Sequence, residues 1–283
     1  MRIGFIGFGE AARAFVASLA EADPGLGFVA YDILLEGPEA AAMRAAMAER
    51  SVAVAETPAG LVGADWIVSA VTADQSLEAV EALAPHLVQG QLVIDINSVS
   101  PERKRATAAL VAGTAAAGYL DMAVMAPVHP HGHRTPVLVA GPVVPDLGRL
   151  GFEHRVVGHA PGAATAIKMV RSLFVKGLEA ITVETLLAAE ASGCFEEILA
   201  SLSGSFPALG WPEFADYQFE RTLRHGARRA AEMRESAATL QALALQGALA
   251  REIAEVHARM GASGGKPATE LRATVAETLR RRR

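Results

Sequence analysis

Several things are scarce in this chain, and each scarcity excludes something. One cysteine, Cys194, stands in 283 residues, which rules out an intrachain disulfide and fits a reducing compartment. No apolar run is long and uninterrupted enough to span a bilayer. Met1 leads straight into an apolar strand and not into a signal peptide, so the expected location is cytoplasmic. Positive charge is not in excess: the net charge of -5 gives no reason to expect nucleic acid or an anionic membrane as partner. Lysine is rare, since of 26 basic residues only Lys104, Lys168, Lys176 and Lys266 are lysines, and each is a position to inspect. What remains is 51% apolar and 20% charged, the composition of a globular chain long enough for two domains and an ample core.

The amino-terminal stretch RIGFIGFGEAARAFVASLAEA reads as a strand, a glycine turn and a helix. Gly7, Phe8, Gly9, Glu10, Ala11 and Ala12 form a G-x-G-x-x-A turn. Gly7 permits the tight exit from the strand, Gly9 lets a pyrophosphate approach the backbone, and Ala12 lets helix and strand pack closely. The helix N-terminus then offers N–H groups to an anion. A second strand, Gly27 to Tyr31, ends at Asp32, where a dinucleotide fold accepts hydrogen bonds from the adenosine ribose hydroxyls. Ile33, Leu34, Leu35 and Glu36 follow, with no Arg or Lys to neutralise a 2′-phosphate, and Asp32 and Glu36 would repel one. The expected cofactor is therefore NAD, with NADP disfavoured.

Further on, the pattern repeats. A helix over about 39–50 leads to a short strand at 52–55, and Thr57 looks like the cap of another helical turn. Asp65 to Val71 is a continuous apolar strand, with Val71 and Thr72 at its carboxyl end, the edge where open α/β sheets bind ligands. After a helix over about 75–84 comes the strand Gln91 to Ile96 and the turn Asn97-Ser98-Val99-Ser100-Pro101. Ser100 and Pro101 make a helix start. Asn97 and Ser98 sit at a strand's carboxyl end, where an amide and a hydroxyl can hold a substrate carboxylate or hydroxyl, and helix capping alone leaves them unassigned. A helix over about 102–116 precedes the strand Tyr119 to Val124, which carries Asp121. Repeated β-α-β units of this length predict a doubly wound sheet.

The loop at 126–136 carries His129, His131 and His133. Alternate side chains of an extended segment point the same way, so a metal site is conceivable; a His/Arg loop bounding an anionic substrate pocket fits better, and no metal is expected. After a strand near 154–157, Pro161-Gly162 marks the expected boundary between a first domain over 1–160 and an all-helical second domain over 161–283. A long helix over about 163–190 carries Thr165, Lys168, Arg171, Ser172, Lys176 and Glu179 at three- and four-residue steps, one stripe that by itself reads as a solvent-facing edge. Downstream, Phe206, Trp211, Phe214, Tyr217 and Phe219 suggest core or subunit interface. The segment 221–229, with Arg228 and Arg229, is either a solvated face or an anion contact. The terminal arginines 280–283 read as a solvated end.

The order of these motifs resembles the β-hydroxyacid dehydrogenase and 6-phosphogluconate dehydrogenase superfamily, in particular members with a phosphogluconate-dehydrogenase-like C-terminal domain. The resemblance rests on the glycine turn, the turn DINSVSP, the Asp121 strand and the helix beginning PGAATAIKMVRS. It implies a Rossmann-type sheet followed by an all-α domain joined by a long helix, a homodimer, and a catalytic lysine in a G-x-G-x-x-x-K setting that maps onto Gly162, Ala164 and Lys168. Two departures stand out. Ser172, beside Arg171, replaces the family's asparagine, and MAPVHPHGH replaces its S-G-G substrate loop.

The expected chemistry is hydride transfer between NAD and a small anionic hydroxy acid or sugar acid, with decarboxylation following if a β-keto acid forms. Lys168 takes the hydroxyl proton; Asn97, Ser98 and Ser172 orient the substrate; His129, Arg171 or the Arg228/Arg229 pair take its anionic group. Two alternatives keep the fold: reduction of an imine or aldehyde with NADPH, and a dinucleotide-binding module without chemistry.

Overall fold

A computed structural model describes residues 1–114 and 117–282 of the chain. By its internal contacts the chain divides into Met1–Lys168 and Met169–Arg283, a division that falls inside the long helix and beyond the Pro161-Gly162 break.

The first unit is built on a single eight-stranded sheet. Its elements are β1 (Arg2–Ile6), α1 (Glu10–Ala22), β2 (Gly27–Tyr31), α2 (Ala40–Ala48), β3 (Ala53–Val54), β4 (Trp66–Ser69), α3 (Ser76–Leu83), β5 (Leu92–Asp95), α4 (Pro101–Ala112), β6 (Gly118–Val124), β7 (Val137–Ala140) and β8 (His154–Gly158), followed by the start of α5 (Ala163–Ala191). Strand order is β3-β2-β1-β4-β5-β6-β7-β8. The first six pair in parallel, β7 runs antiparallel to β6, and β8 runs parallel to β7. This is the doubly wound arrangement, with the order reversing between β1 and β4, the position at which such sheets bind ligands. The central strands are apolar on both faces because helices cover both: Ile3, Phe5, Ile67, Val93, Ile94 and Leu120 are buried.

Local chemistry sets the element ends. Ser100 accepts a hydrogen bond from the Arg103 N–H and caps α4, with Pro101 in its first turn. The helix ends at Ala112 with Gly113 as its cap, short of the expected end at Ala116; residues 115 and 116 lie outside the described residues. Thr57 precedes only a short 3₁₀ turn and its side chain makes no cap.

The second unit holds the remainder of α5 with α6 (Phe195–Ser205), α7 (Glu213–Ala242), α8 (Ala248–Ala262) and α9 (Leu271–Arg282). Its core is Val183, Leu186, Phe195, Phe219, Met260 and Val275. Helices α7 and α8 approach closely at Gly226 and Gly261: a Cβ on Gly226 would lie 2.4 Å from the His257 carbonyl oxygen, so neither glycine can carry a side chain without separating the helices. Of the aromatic cluster, Phe219 is core and Trp211 meets Phe214 edge to face, whereas Phe206 and Tyr217 are exposed.

Candidate active site

The glycine turn leaves β1 at Gly7, whose φ of +87° suits glycine, and a Cβ there would sit 2.5 Å from the Ala70 carbonyl oxygen at the end of β4. Gly9 is the reverse case: a Cβ there would meet nothing within 4 Å. The turn is thus pressed against the sheet at its first glycine and open at its second, where a pyrophosphate needs room. Gly9 also caps α1 without a side chain, leaving the helix N-terminus to an anionic ligand. These residues fit a dinucleotide.

Asp32 is buried, and its carboxylate accepts the Phe8 N–H at 2.6 Å and the Leu34 N–H at 3.0 Å. It therefore ties the end of β2 to the glycine turn as well as standing where a ribose would lie. Phe8 itself is fully buried, beneath the Arg13 guanidinium 5.6 Å from its ring centre, so only its backbone faces the turn. Glu10 is exposed and Ala11 half-buried at the helix start. Tyr31 donates to Glu36, and burial together with that carboxylate pushes its phenol up to about 12. Asp32 and Glu36 thus make the wall beyond β2 acidic.

At the ends of β4 and β5 the structure joins the turn to the long helix. The Val71 N–H donates to Asn97 Oδ1 at 2.8 Å, and Asn97 Nδ2 donates to Ser69 Oγ at 2.8 Å. Asn97 is buried, so its amide braces two strand ends. Thr72 is exposed just beyond. Next to Asn97, Ser98 is half-buried and its Oγ accepts from Lys168 Nζ at 2.6 Å. Lys168 comes from the second turn of α5, whose start is held by Thr165: its Oγ1 donates to the Val99 carbonyl at 3.0 Å.

Two buried acids support this corner. Lys104 Nζ lies 2.8 Å from Asp95 Oδ1 and 3.5 Å from Asp121 Oδ1, all three side chains being fully buried. Asp121 Oδ2 accepts the N–H groups of Gly162 and Thr165. Burial pushes the Asp121 carboxyl up, with Lys104 opposing. Tyr119 donates to Asp95 Oδ2 at 2.9 Å, and its phenol is driven well up by burial, with the two carboxylates adding. Sequence reasoning missed this cluster. The available signal was polarity where the pattern demands apolar residues: Asp95 and Asp121 inside apolar strands, and Lys104 on the α4 face shared with Pro101, Thr107 and Val111.

The histidine loop does not gather its histidines. His133 is fully buried: its ring bridges Ser18 Oγ at 2.7 Å and the Leu150 carbonyl at 2.8 Å, and burial holds its pKa down. A neutral ring with its proton on Nε2 satisfies both contacts. His129 and His131 are exposed. His133 is thus a lock between the loop and α1, and His129 and His131 remain on the exposed side of the loop.

In the second unit the stripe on α5 is not a solvated edge. Ser172, Lys176 and Glu179 are buried and only Arg171 is exposed. Lys176 Nζ donates to Ser172 Oγ at 3.1 Å and lies 2.8 Å from Glu232 of α7. Arg229 of α7, expected to take a substrate anion, instead donates to Glu179 at 2.8 Å and is itself buried. The cause is that α5 and α7 bury their polar faces against each other, so charges must pair. Burial pushes the Glu179 carboxyl up against the pull of Arg229 and Lys176, and lowers Arg229. His257 of α8, fully buried, donates from Nε2 to the Lys176 carbonyl, and burial lowers it to about 4. Arg228 is half-exposed, 4.0 Å from Glu232.

Comparison with known proteins places this geometry. Residues 2–98 match the family described as NADP oxidoreductase coenzyme F420-dependent, and residues 189–260 match the domain of unknown function DUF1932. A conserved hypothetical protein from Sinorhizobium meliloti 1021 is 36% identical, covering 99% of this chain and 96% of its own, with a TM-score of 0.74. An uncharacterized 28.5 kDa protein of Methanothermus fervidus is 26% identical over 206 residues, 71% of this chain and 76% of that one. The fold is also that of the Mycobacterium tuberculosis 3-hydroxyisobutyrate dehydrogenase determined with L-serine, 19% identical over 97% of this chain and 98% of that chain, TM-score 0.71.

Proposed function

We propose that the chain is a member of the β-hydroxyacid dehydrogenase and 6-phosphogluconate dehydrogenase superfamily, whose fold it shares, and that it transfers a hydride between NAD and the alcohol carbon of a small hydroxy acid or sugar acid. One observation carries the reading: Lys168 Nζ on Ser98 Oγ at 2.6 Å, beside the strand ends that Asn97 ties together next to the glycine turn. NAD, when bound, supplies the hydride acceptor. Lys168 draws the proton from the substrate hydroxyl, which requires the neutral amine at that moment. Ser98 holds the amine in place and accepts from it, so its own proton is directed elsewhere, toward a substrate oxygen. Ser172, one turn along α5 from Lys168, accepts from Lys176 and likewise has its hydroxyl proton to give. Of the basic candidates, His129, Arg171 and Arg228 are exposed or half-exposed, and one of them takes the anionic group; Arg229 holds Glu179. Where the product is a β-keto acid, loss of carbon dioxide follows.

Asp32 and Glu36 support NAD over NADP, because both would repel a 2′-phosphate. A homodimer is supported by one face of α5: Ile167, Val170, Phe174 and Ile181, at helical steps, are 41%, 51%, 73% and 64% exposed, more apolar surface than a solvated helix offers without a partner. Among the described residues no helix is long and apolar enough to cross a membrane; the free thiol of Cys194 suits the reducing cytoplasm. The reading is tested by a spectrophotometric panel of 3-hydroxy acids and sugar acids with NAD and NADP, with an imine and NADPH as a further arm. Turnover of a hydroxy acid with NAD that disappears in Lys168→Ala supports it. Full turnover in that variant, or turnover of the imine alone, removes it.

A further inference from the structure

Lys168 and Ser98 come from different elements, and something must keep those elements in register. Ser98 lies in the turn after β5. That turn is fixed at its first peptide, where the Asn97 N–H donates to Asp95 Oδ1 at 2.9 Å. Lys168 lies near the start of α5. That start is fixed by Asp121, whose Oδ2 accepts the Gly162 and Thr165 N–H groups at 3.1 Å each. Gly162, at φ +93°, presses on α4, where a Cβ would lie 2.9 Å from the Pro101 carbonyl oxygen. One side chain meets both acids. Lys104 Nζ donates to the Asp95 carbonyl at 2.6 Å, lies 2.8 Å from Asp95 Oδ1 and 3.5 Å from Asp121 Oδ1.

We infer that Lys104 and Asp121 are positioning residues for Lys168, a buried strut that sets the Ser98 turn and the start of α5 at a fixed separation. A lysine suits this place because its ammonium has three donors and no acceptor, so one group reaches two carboxylates and a carbonyl. Stability does not account for it, since desolvating buried charges offsets most of their attraction. Alignment does: misplacing a reacting group by about 1 Å costs roughly a hundredfold in rate. Thr165, held by Asp121 through its N–H and by Val99 through its hydroxyl, stands three residues before Lys168 and transmits the constraint within one turn of helix. The inference rests on the proposed chemistry only for the use made of Lys168.

The four lysines provide a test that needs no substrate. The full-length protein is treated with trace acetic anhydride, and acetylation of each lysine is read by peptide mass spectrometry. Lys266 is exposed and serves as reference; Lys176 is buried in the second unit and reports unfolding. Expected in the wild type is Lys168 labelled well below Lys266. In Asp121→Ala, Lys168 labelling rises about tenfold, the scale of one charge-assisted hydrogen bond lost, while Lys176 stays protected and NADH affinity holds within about twofold. Asp121→Asn keeps an oxygen that accepts both N–H groups but turns its NH2 toward the Lys104 ammonium, so its labelling falls between wild type and Asp121→Ala; wild-type labelling in Asp121→Asn overturns the part assigned to Lys104. Unchanged Lys168 labelling in Asp121→Ala with Lys176 protected overturns the inference. If Lys176 is labelled as well, Thr165→Val decides: it removes only the bond to Val99, a rise at Lys168 alone supports the strut, and no rise overturns it. A Lys168→Ala protein with full turnover would sink the proposed chemistry and leave these labelling results standing.

Discussion

Lys168 and Ser98, seventy residues apart in the chain, meet at 2.6 Å. The amine is thereby held at the carboxyl edge of the sheet, beside the turn into which a dinucleotide fits. Removing it separates binding from chemistry. Lys168→Ala is expected to lower kcat/KM by about 10² to 10⁴, the range of a positioned acid–base group, with NADH affinity unchanged. Ser98→Ala should lower kcat alone, by roughly tenfold, about one hydrogen bond to a charged group. Steady-state kinetics with parallel fluorescence titration of NADH checks both.

The two glycines of the turn respond oppositely to a side chain. Gly7→Ala places a Cβ 2.5 Å from the Ala70 carbonyl oxygen at positive φ and should cost about 1–3 kcal/mol of stability. A Cβ at Gly9 meets nothing within 4 Å, so Gly9→Ala should melt like the wild type yet weaken NADH binding. Thermal unfolding and titration of the two variants side by side distinguish a structural glycine from a ligand-clearing one.

Asp32 holds the glycine turn through the Phe8 N–H and, in the proposed reading, disfavours a 2′-phosphate, so its replacement should affect both. Asp32→Asn removes the charge that repels a 2′-phosphate and weakens the acceptor of the Phe8 N–H. The ratio of NADH to NADPH affinity should fall, and stability should drop by about 1 kcal/mol, the scale of one hydrogen bond. A wild type that binds NADPH more tightly than NADH would contradict the reading of this acidic wall.

His257 predicts acid sensitivity of the helical unit. Its folded-state pKa of about 4 lies below the ordinary 6.5, so between those values the unfolded chain binds more protons than the folded one. Stability is fully present above pH 6.5 and falls as the pH drops toward 4, by at most about 1.4 kcal/mol per pH unit. His257→Gln, which retains a side-chain donor for the Lys176 carbonyl, should flatten the slope. Denaturant unfolding at pH 7.5, 5.5 and 4.5 measures it.

The exposed face of α5 predicts association. Phe174 is 73% exposed, and Phe174→Glu should shift the dimer to monomer in light scattering without loss of helicity. A wild type that is already monomeric would remove the interface.

Much of the fold was legible in advance because it is local. Gly7, Gly9 and Asp32 follow the spacing of a strand, turn and strand; Ser100-Pro101 announces α4; the β-α-β succession gives the sheet. The stripe on α5 was harder. Its periodicity is the same whether it faces water or another charged helix, and only the presence of α7, with Arg229 against Glu179, decides between them. The histidine loop is a similar case: alternation treats its three histidines alike, yet docking on Ser18 buries His133 and leaves His129 outside.

The sequence by itself determined the glycine turn, the acidic end of β2 and the candidate lysine, because each depends on residue type at fixed short spacing. Tertiary structure alone decided that Asn97 braces strand ends, that Arg229 is held by Glu179, and that Lys104 joins Asp95 to Asp121. Those are pairings across the fold, and a charged side chain in a buried strand or helix reveals that it needs a partner without revealing which.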